Sequence, residues 1–340
     1  MKYRHAAGLA GGLVLCALAA GCRDRQPSPG NGDVTLYCSV DETFGQKVIE
    51  AYTRQTGAKV RVLFDQEATK TTGLVNKIKA ERGDPRADVF WSSEIFNTIL
   101  LARAGLLEAY RSPSASDIPP AYKNPAGYWT GIGLRARVIA YNPRKLKRAD
   151  VPTTWSALAE PRWSKQVALA NPIAGTTRGH VAAMFALWGK DKATAFLKGL
   201  DETGVRIADG NSAAVRMVAR GDVSLCATDT DDVWVAQRRG ESVDLVYPDM
   251  GDGGTLLIPC TVALLAGSKH PAAGRKLVDF LVSEAVERML AESESRNIPV
   301  RASLRDALGM RLPPSTKVGY AAAADVMEEA IDVAREVLLR

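Results

Sequence analysis

From Val34 onward the chain alternates between short apolar runs of strand character and amphipathic stretches of helix length, and no other feature restricts its fold as much. "VTLYCSV" reads as a strand, residues 42–55 as an amphipathic helix and "KVRVLF" as a second strand. Residues 70–82 are helical, "ADVFWS" is a strand, and 95–104 is a helix that stops at Gly105. Gly57 and Gly105 stand where helix C-caps are expected. Strands and helices alternating at this spacing build an α/β fold, a largely parallel sheet with helices on both faces.

An irregular stretch, "RSPSASDIPPAYKNPAGYW", interrupts the pattern, and "GIGLRARVIAYNP" then reads as a long strand closing a first unit. A second α/β series begins near Pro152: "KQVALANP", a helix over 177–188, "VRIADG", a helix over 213–220, "VSLCATD", a helix over 232–239, and "VDLVYPD". "GTLLIPCTVALLAG" returns to the first unit, and helices over 271–291 and 316–339 finish the chain. The expected division is one lobe from 34–138 with 260–312, a second from 139–259, and a C-terminal helix over 313–340 packed on the body. Two lobes joined by two extended crossings enclose a cleft, and ligands of open α/β sheets sit outside the carboxyl ends of the strands.

The first 33 residues carry a different signal. Lys2 and Arg4 precede the apolar run "AAGLAGGLVLCALAAGC", too short and glycine-rich for a spanning helix. Residues 1–21 read as a signal peptide and 22–33 as a flexible tether. "LAAGC" is similar to a bacterial lipobox, which makes Cys22 the expected lipidated residue and the cell envelope, periplasmic or extracytoplasmic face, the expected location. A net charge of +6 with scattered basic residues lacks the clustered stripe that nucleic acid requires. The cysteines after Cys22, namely Cys38, Cys226 and Cys260, lie in apolar runs without CxxC spacing and read as buried free thiols.

Six loops fall at strand ends in this scheme: 39–42, 65–72, 92–94, 171–177, 210–212 and 228–232. Ser39, Asp41, Lys70 and Thr71 suit either helix capping or ligand contact, as do Ser92, Ser93 and Glu94. "NPIAGTTRGH" is the best anion loop: Gly175 permits close backbone approach, Thr176 and Thr177 add hydroxyls, and a helix N-terminus follows. Asn211 opens another helix in the same manner. In "LCATDTDDVW" the acids outnumber the cap positions, so among Thr228, Asp229, Thr230, Asp231 and Asp232 some charge needs a cation, an amine or a hydroxyl-bearing ligand. Hard oxygen donors suit hard cations, and the affinity order of transition metals does not exclude iron.

Enzyme motifs are lacking. There is no G-x-S-x-G, H-E-x-x-H or P-loop, and His180 and His270, the two histidines after residue 21, do not form a plausible catalytic pair. Gly131, Gly133 and Ala136 match G-x-G-x-x-A but lie within a strand-like run, where a dinucleotide motif would open a helix. No catalytic cofactor is expected. A secreted hydrolase using the acidic cluster is the alternative of another class, and a sensor or adhesion lipoprotein is a third.

In order, "VTLYCSVDETF", "KVRVLFDQEATKTTGLVNKI", "ADVFWSSE", "TGIGLRARVIAYNP", "PRWSKQVALANPIAGTTRGH", "DGNSAAVRMVARGDVSLCATDTDD" and "HPAAGRKLVDFLVS" resemble the ferric-ion branch of class II periplasmic solute-binding proteins. That resemblance implies a two-lobed fold with two hinge crossings, a monomeric receptor, and an ABC permease with its ATPase as partners. It implies Fe3+ with a synergistic anion as the ligand, the anion at Gly175 and Thr176 with Asn211 and Arg135, and the metal at Asp41, Glu94, Asp229 and Asp231. The sequence departs from the branch where two adjacent tyrosines are usual, having Thr230 and Asp231 instead. An organic phosphate or phosphonate, held by Ser/Thr hydroxyls, Lys70 and Arg135, is the alternative solute.

Overall fold

Strand β1 (Val34–Cys38) leads into α1 (Glu42–Thr56), β2 (Val60–Phe64), α2 (Thr72–Ala80), β3 (Val89–Ser92), α3 (Phe96–Arg103) and the short β4 (Leu107–Glu108). After an irregular stretch come β5 (Thr130–Tyr141), β6 (Val167–Ala170), α4 (Gly175–Trp188), α5 (Lys190–Glu202) and β7 (Arg206–Ala208). Next are α6 (Asn211–Arg220), β8 (Leu225–Asp229), α7 (Thr230–Arg238), β9 (Asp244–Val246) and β10 (Leu257–Leu265). Helices α8 (Pro271–Leu281), α9 (Glu284–Glu292), α10 (Ala302–Ala307), α11 (Tyr320–Asp325) and α12 (Met327–Leu338) complete a computed structural model that describes residues 33–66 and 69–340. Among the described residues no helix is long and apolar enough to cross a membrane.

The strand order is β2-β1-β3-β10-β5-β8-β6-β7, with β4 on β10 and β9 on β5. β1 pairs in parallel with β2 and β3, and β6 in parallel with β7 and β8, while β5 and β10 run against their neighbours. The first part of β5 pairs with β10 and residues from Arg137 on pair with β8, so one strand joins the two halves of the sheet. All twelve of its residues are buried, which explains why a segment covered on both faces reads as one continuous run. The G-x-G-x-x-A match falls inside β5 and opens no helix.

Gly133 marks an irregularity in that strand. Its φ of 55° is costly for any residue with a Cβ, and the register against β10 shifts between Pro259 and Cys260. The Gly133 N–H donates to Glu287 Oε1 (3.0 Å), which also accepts the Val300 N–H (2.6 Å). Glu287 is fully buried and pairs with Arg301 Nη1 at 3.0 Å; Arg301 Nε in turn reaches Asp117 (2.9 Å) and Nη2 reaches the Ser114 carbonyl (2.7 Å). This network ties the irregular stretch to α9 and the segment after it.

Three helix expectations change. Helix α5 was unanticipated, although Ala193, Phe196, Leu197 and Leu200 give its buried face a helical period. The helix expected over 271–291 is two, because Ser283 starts a new one with its Oγ accepting the Val286 N–H (3.4 Å). The helix expected over 316–339 begins at Tyr320 and divides at Val326. Helix α11 packs on both α3 and α4, where a Cβ at Gly179 would lie 2.1 Å from the Phe96 ring. Cys38, Cys226 and Cys260 are buried and free.

Candidate ligand cleft

The loops that follow β1, β2 and β3 face those that follow β6, β7 and β8, so carboxyl ends of parallel strands from both halves meet at one cleft. It has two adjoining compartments, an inner one of about 30 Å3 and an outer one of about 310 Å3; Asp41, Lys70 and Asp232 border both. The inner compartment is walled by Ser93, Arg135, the start of α4 (Gly175, Thr176, Thr177) and the start of α6 (Asn211). Amides in the first turn of a helix have no intrahelical acceptor, and the helix dipole adds positive potential there. Gly175, at φ 55°, gives its own N–H to the Lys70 carbonyl (3.0 Å), which joins the loop after β2 to the loop after β6. This compartment suits an oxyanion.

Acids and bases meet between the compartments. Arg135 and Arg137 lie on the same side of β5, because alternate residues of a strand share a face. Arg137 is in register with Asp229 of β8 and bonds its Oδ1 at 3.0 Å. Asp229, fully buried, also accepts from Thr176 Oγ1 (2.5 Å) and Asn211 Nδ2 (2.9 Å). Arg135 Nη1 bonds Asp231 Oδ2 at 3.2 Å, and its Nη2 donates to the Ser93 carbonyl. Asp231 Oδ1 is buried without a partner. Asp232 accepts from Thr228 Oγ1 at 3.2 Å. One carboxylate oxygen from each of Asp229, Asp231 and Asp232 can be chosen so that all lie within 4.8 Å of one another.

The crowding shows in the acidities. Burial pushes the Asp231 carboxyl up to about 6, with Arg135 opposing and the Asp229 charge reinforcing the rise. Burial also raises Asp232 well above the usual carboxylate range, helped by repulsion from Asp231 and Asp229. Burial also acts to raise Asp41, but its ion pair with Lys70 more than offsets this and leaves it below the usual carboxylate range.

Asp41 and Asp229 hold cap positions on α1 and α7 without a capping hydrogen bond. Glu94, expected among the metal donors, instead turns back on its own helix. Its carboxylate accepts the N–H groups of Phe96 (2.6 Å) and Asn97 (3.1 Å), and it borders neither compartment. Ser92 Oγ likewise donates to the Glu94 carbonyl (2.7 Å). Ser39, Thr71 and Ser93 form a hydroxyl triangle with sides of 3.1, 3.1 and 3.3 Å, of which Ser93 borders the inner compartment. Thr71 sits at φ 66°, a strained conformation for a β-branched residue. Thr230 Oγ1 accepts the Ala136 N–H (3.2 Å), and Thr177 Oγ1 donates to Asn211 Oδ1 (3.4 Å).

Sequence reasoning overlooked Arg137. Two arginines spaced by two in an otherwise apolar strand must be buried on one face, and buried cations need carboxylates. That was the available signal. No tyrosine borders either compartment among the described residues.

The sequence model of the bacterial extracellular solute-binding protein family matches residues 84–323. The major ferric iron-binding protein of Neisseria meningitidis serogroup A is 30% identical over 288 residues, 82% of this chain and 82% of that protein. Iron-bound HitA from Pseudomonas aeruginosa is similar in structure, with a TM-score of 0.79 at 28% identity over 90% of this chain and 99% of that one. AfuA from Actinobacillus pleuropneumoniae, with fructose-6-phosphate bound, shares the fold at a TM-score of 0.78 and 20% identity, over 91% and 99% of the two chains.

Proposed function

Because the chain belongs to the bacterial extracellular solute-binding proteins, with their two-lobed class II fold, and such proteins are the substrate-binding components of ABC importers, we propose that it is a receptor closing on a hard cation held together with an oxyanion. Ferric iron is the first candidate. The observation that carries this reading is a juxtaposition: Asp231, with one buried oxygen unpartnered, and Asp232 stand beside a compartment walled by two helix N-termini and Arg135. Negative charge on one side and positive potential on the other suit a cation and an anion bound side by side. The ferric-binding relatives support iron as the cation. Lobe closure over 34–138 with 260–312 against 139–259 would sequester the pair.

A second reading, an organic phosphate or phosphonate, is favoured by Lys70 and Arg135 at the inner compartment and by an outer one far larger than a bare ion. Metal analysis after ferric citrate loading, alongside a thermal-shift series with organic phosphonates, separates the two. Retained iron that Asp231→Ala abolishes supports the first. No iron, with a shift of several degrees from a phosphonate, replaces it with the second. Turnover of a glycoside or phosphoester panel would overturn the receptor reading.

We further propose anchoring through Cys22, which lies outside the described residues, on the outer side of a membrane in the cell envelope. Cys22→Ser should release the protein into the soluble fraction, and retention in the membrane pellet would refute the anchor.

A further inference from the structure

Arg137 has no exposed surface, yet its Nε and Nη2 have no hydrogen-bond partner. Only Nη1 is engaged, by Asp229 (3.0 Å), Asn211 (3.3 Å) and Thr176 (3.4 Å). A buried guanidinium with two idle nitrogens is poorly satisfied, yet without it Asp229 would be buried with its nearest counter-charge gone. What the guanidinium supplies is positive charge beside Asp229. The same pattern repeats outward: Arg135 with Asp231, Lys70 with Asp41. Where the compartments meet, these four carboxylates face three cationic groups, and among the described residues Asp232 alone of the four has no ion pair. Glu42, Asp65, Glu241 and Glu294 with Arg216 and Arg239 line the outer compartment beyond them.

A lone multivalent cation entering between the compartments meets Asp41, Asp231 and Asp229 already paired with Lys70, Arg135 and Arg137. A solute bringing an oxyanion and a positive charge together meets the inner compartment and Asp231 with Asp232 at once. We propose that Arg137 sets the ion preference of the site: by cancelling Asp229 from inside the sheet, it makes the cleft accept positive charge only in company with an oxyanion, as an ion pair or a zwitterion. Arg137 does not border either compartment, so it acts through Asp229 as a positioning residue. This rests on the inner compartment holding an oxyanion, as proposed above.

The test uses two separate probes on the full chain: terbium chloride in a non-coordinating buffer, followed by luminescence, and methylphosphonate, followed by calorimetry. Arg137→Met should bind terbium at least tenfold more tightly and methylphosphonate at least tenfold more weakly than the wild type. Asp229→Asn should shift both in the opposite sense, and it carries the test alone if Arg137→Met fails to fold. Arg137→Lys should stay near wild type, and the double variant Arg137→Met with Asp229→Asn should return towards it. General damage would weaken both probes together, so parallel shifts, or none, overturn the proposal. Methylphosphonate failing to bind the wild type at all would instead refute the oxyanion site.

Discussion

Replacing Asp231 by Asn should make the solute-free protein more stable at neutral pH while weakening solute binding. The carboxyl is displaced from an ordinary 3.8 to about 6, chiefly by burial, with the Arg135 attraction already included. Between those two values the folded protein holds a proton that the unfolded chain has released, so this group's contribution to stability falls as pH rises from about 4 to 6 and stays low above. At 1.36 kcal/mol per tenfold change in acidity, the ionised form costs the fold about 3 kcal/mol. Asparagine copies the protonated acid without the charge. Urea unfolding of both proteins without solute, at pH 3.5 and pH 7.5, should show near-equal stability at the lower pH and an advantage of about 3 kcal/mol for the variant at the higher. A variant no more stable at pH 7.5, or a difference that does not change with pH, would refute the idea that Asp231 is held ionised against the preference of the empty fold.

Glu287→Ala should destabilise the protein by about 3–5 kcal/mol in urea, because it leaves Arg301 buried and the Gly133 and Val300 N–H groups unmet. Gly133→Ala should cost about 1 kcal/mol or more from its φ of 55°, again by urea midpoint. Gly179→Ala forces a methyl group to within 2.1 Å of the Phe96 ring and should cost about 1–3 kcal/mol; adding Phe96→Leu should recover part of this in the thermal midpoint.

Much of the scaffold was legible because its signals are local. The apolar runs for β1, β3, β5 and β10 are continuous where the structure buries every residue or nearly every one, and Gly57 takes the left-handed C-cap expected of it. The break at Ser283 escaped notice because serine is equally ordinary on an exposed helical face. The candidate cleft was legible as a set of loops, since strand ends are visible, but the direction of each side chain was not. Glu94 and Asp231 look alike as acids near strand ends, and one closes its own helix while the other faces the cleft.

What the sequence determined by itself was most of the succession of strands and helices and the presence of an acid-rich turn after "LCATD", because periodicity and turn chemistry operate within a few residues. The tertiary structure alone decided how the charges pair. Arg137 and Asp229 are 92 positions apart, and Arg135 and Asp231 are 96 apart. Only the pairing of β5 with β8 brings them within hydrogen-bond reach, and electrostatic energy depends on distance through space rather than along the chain.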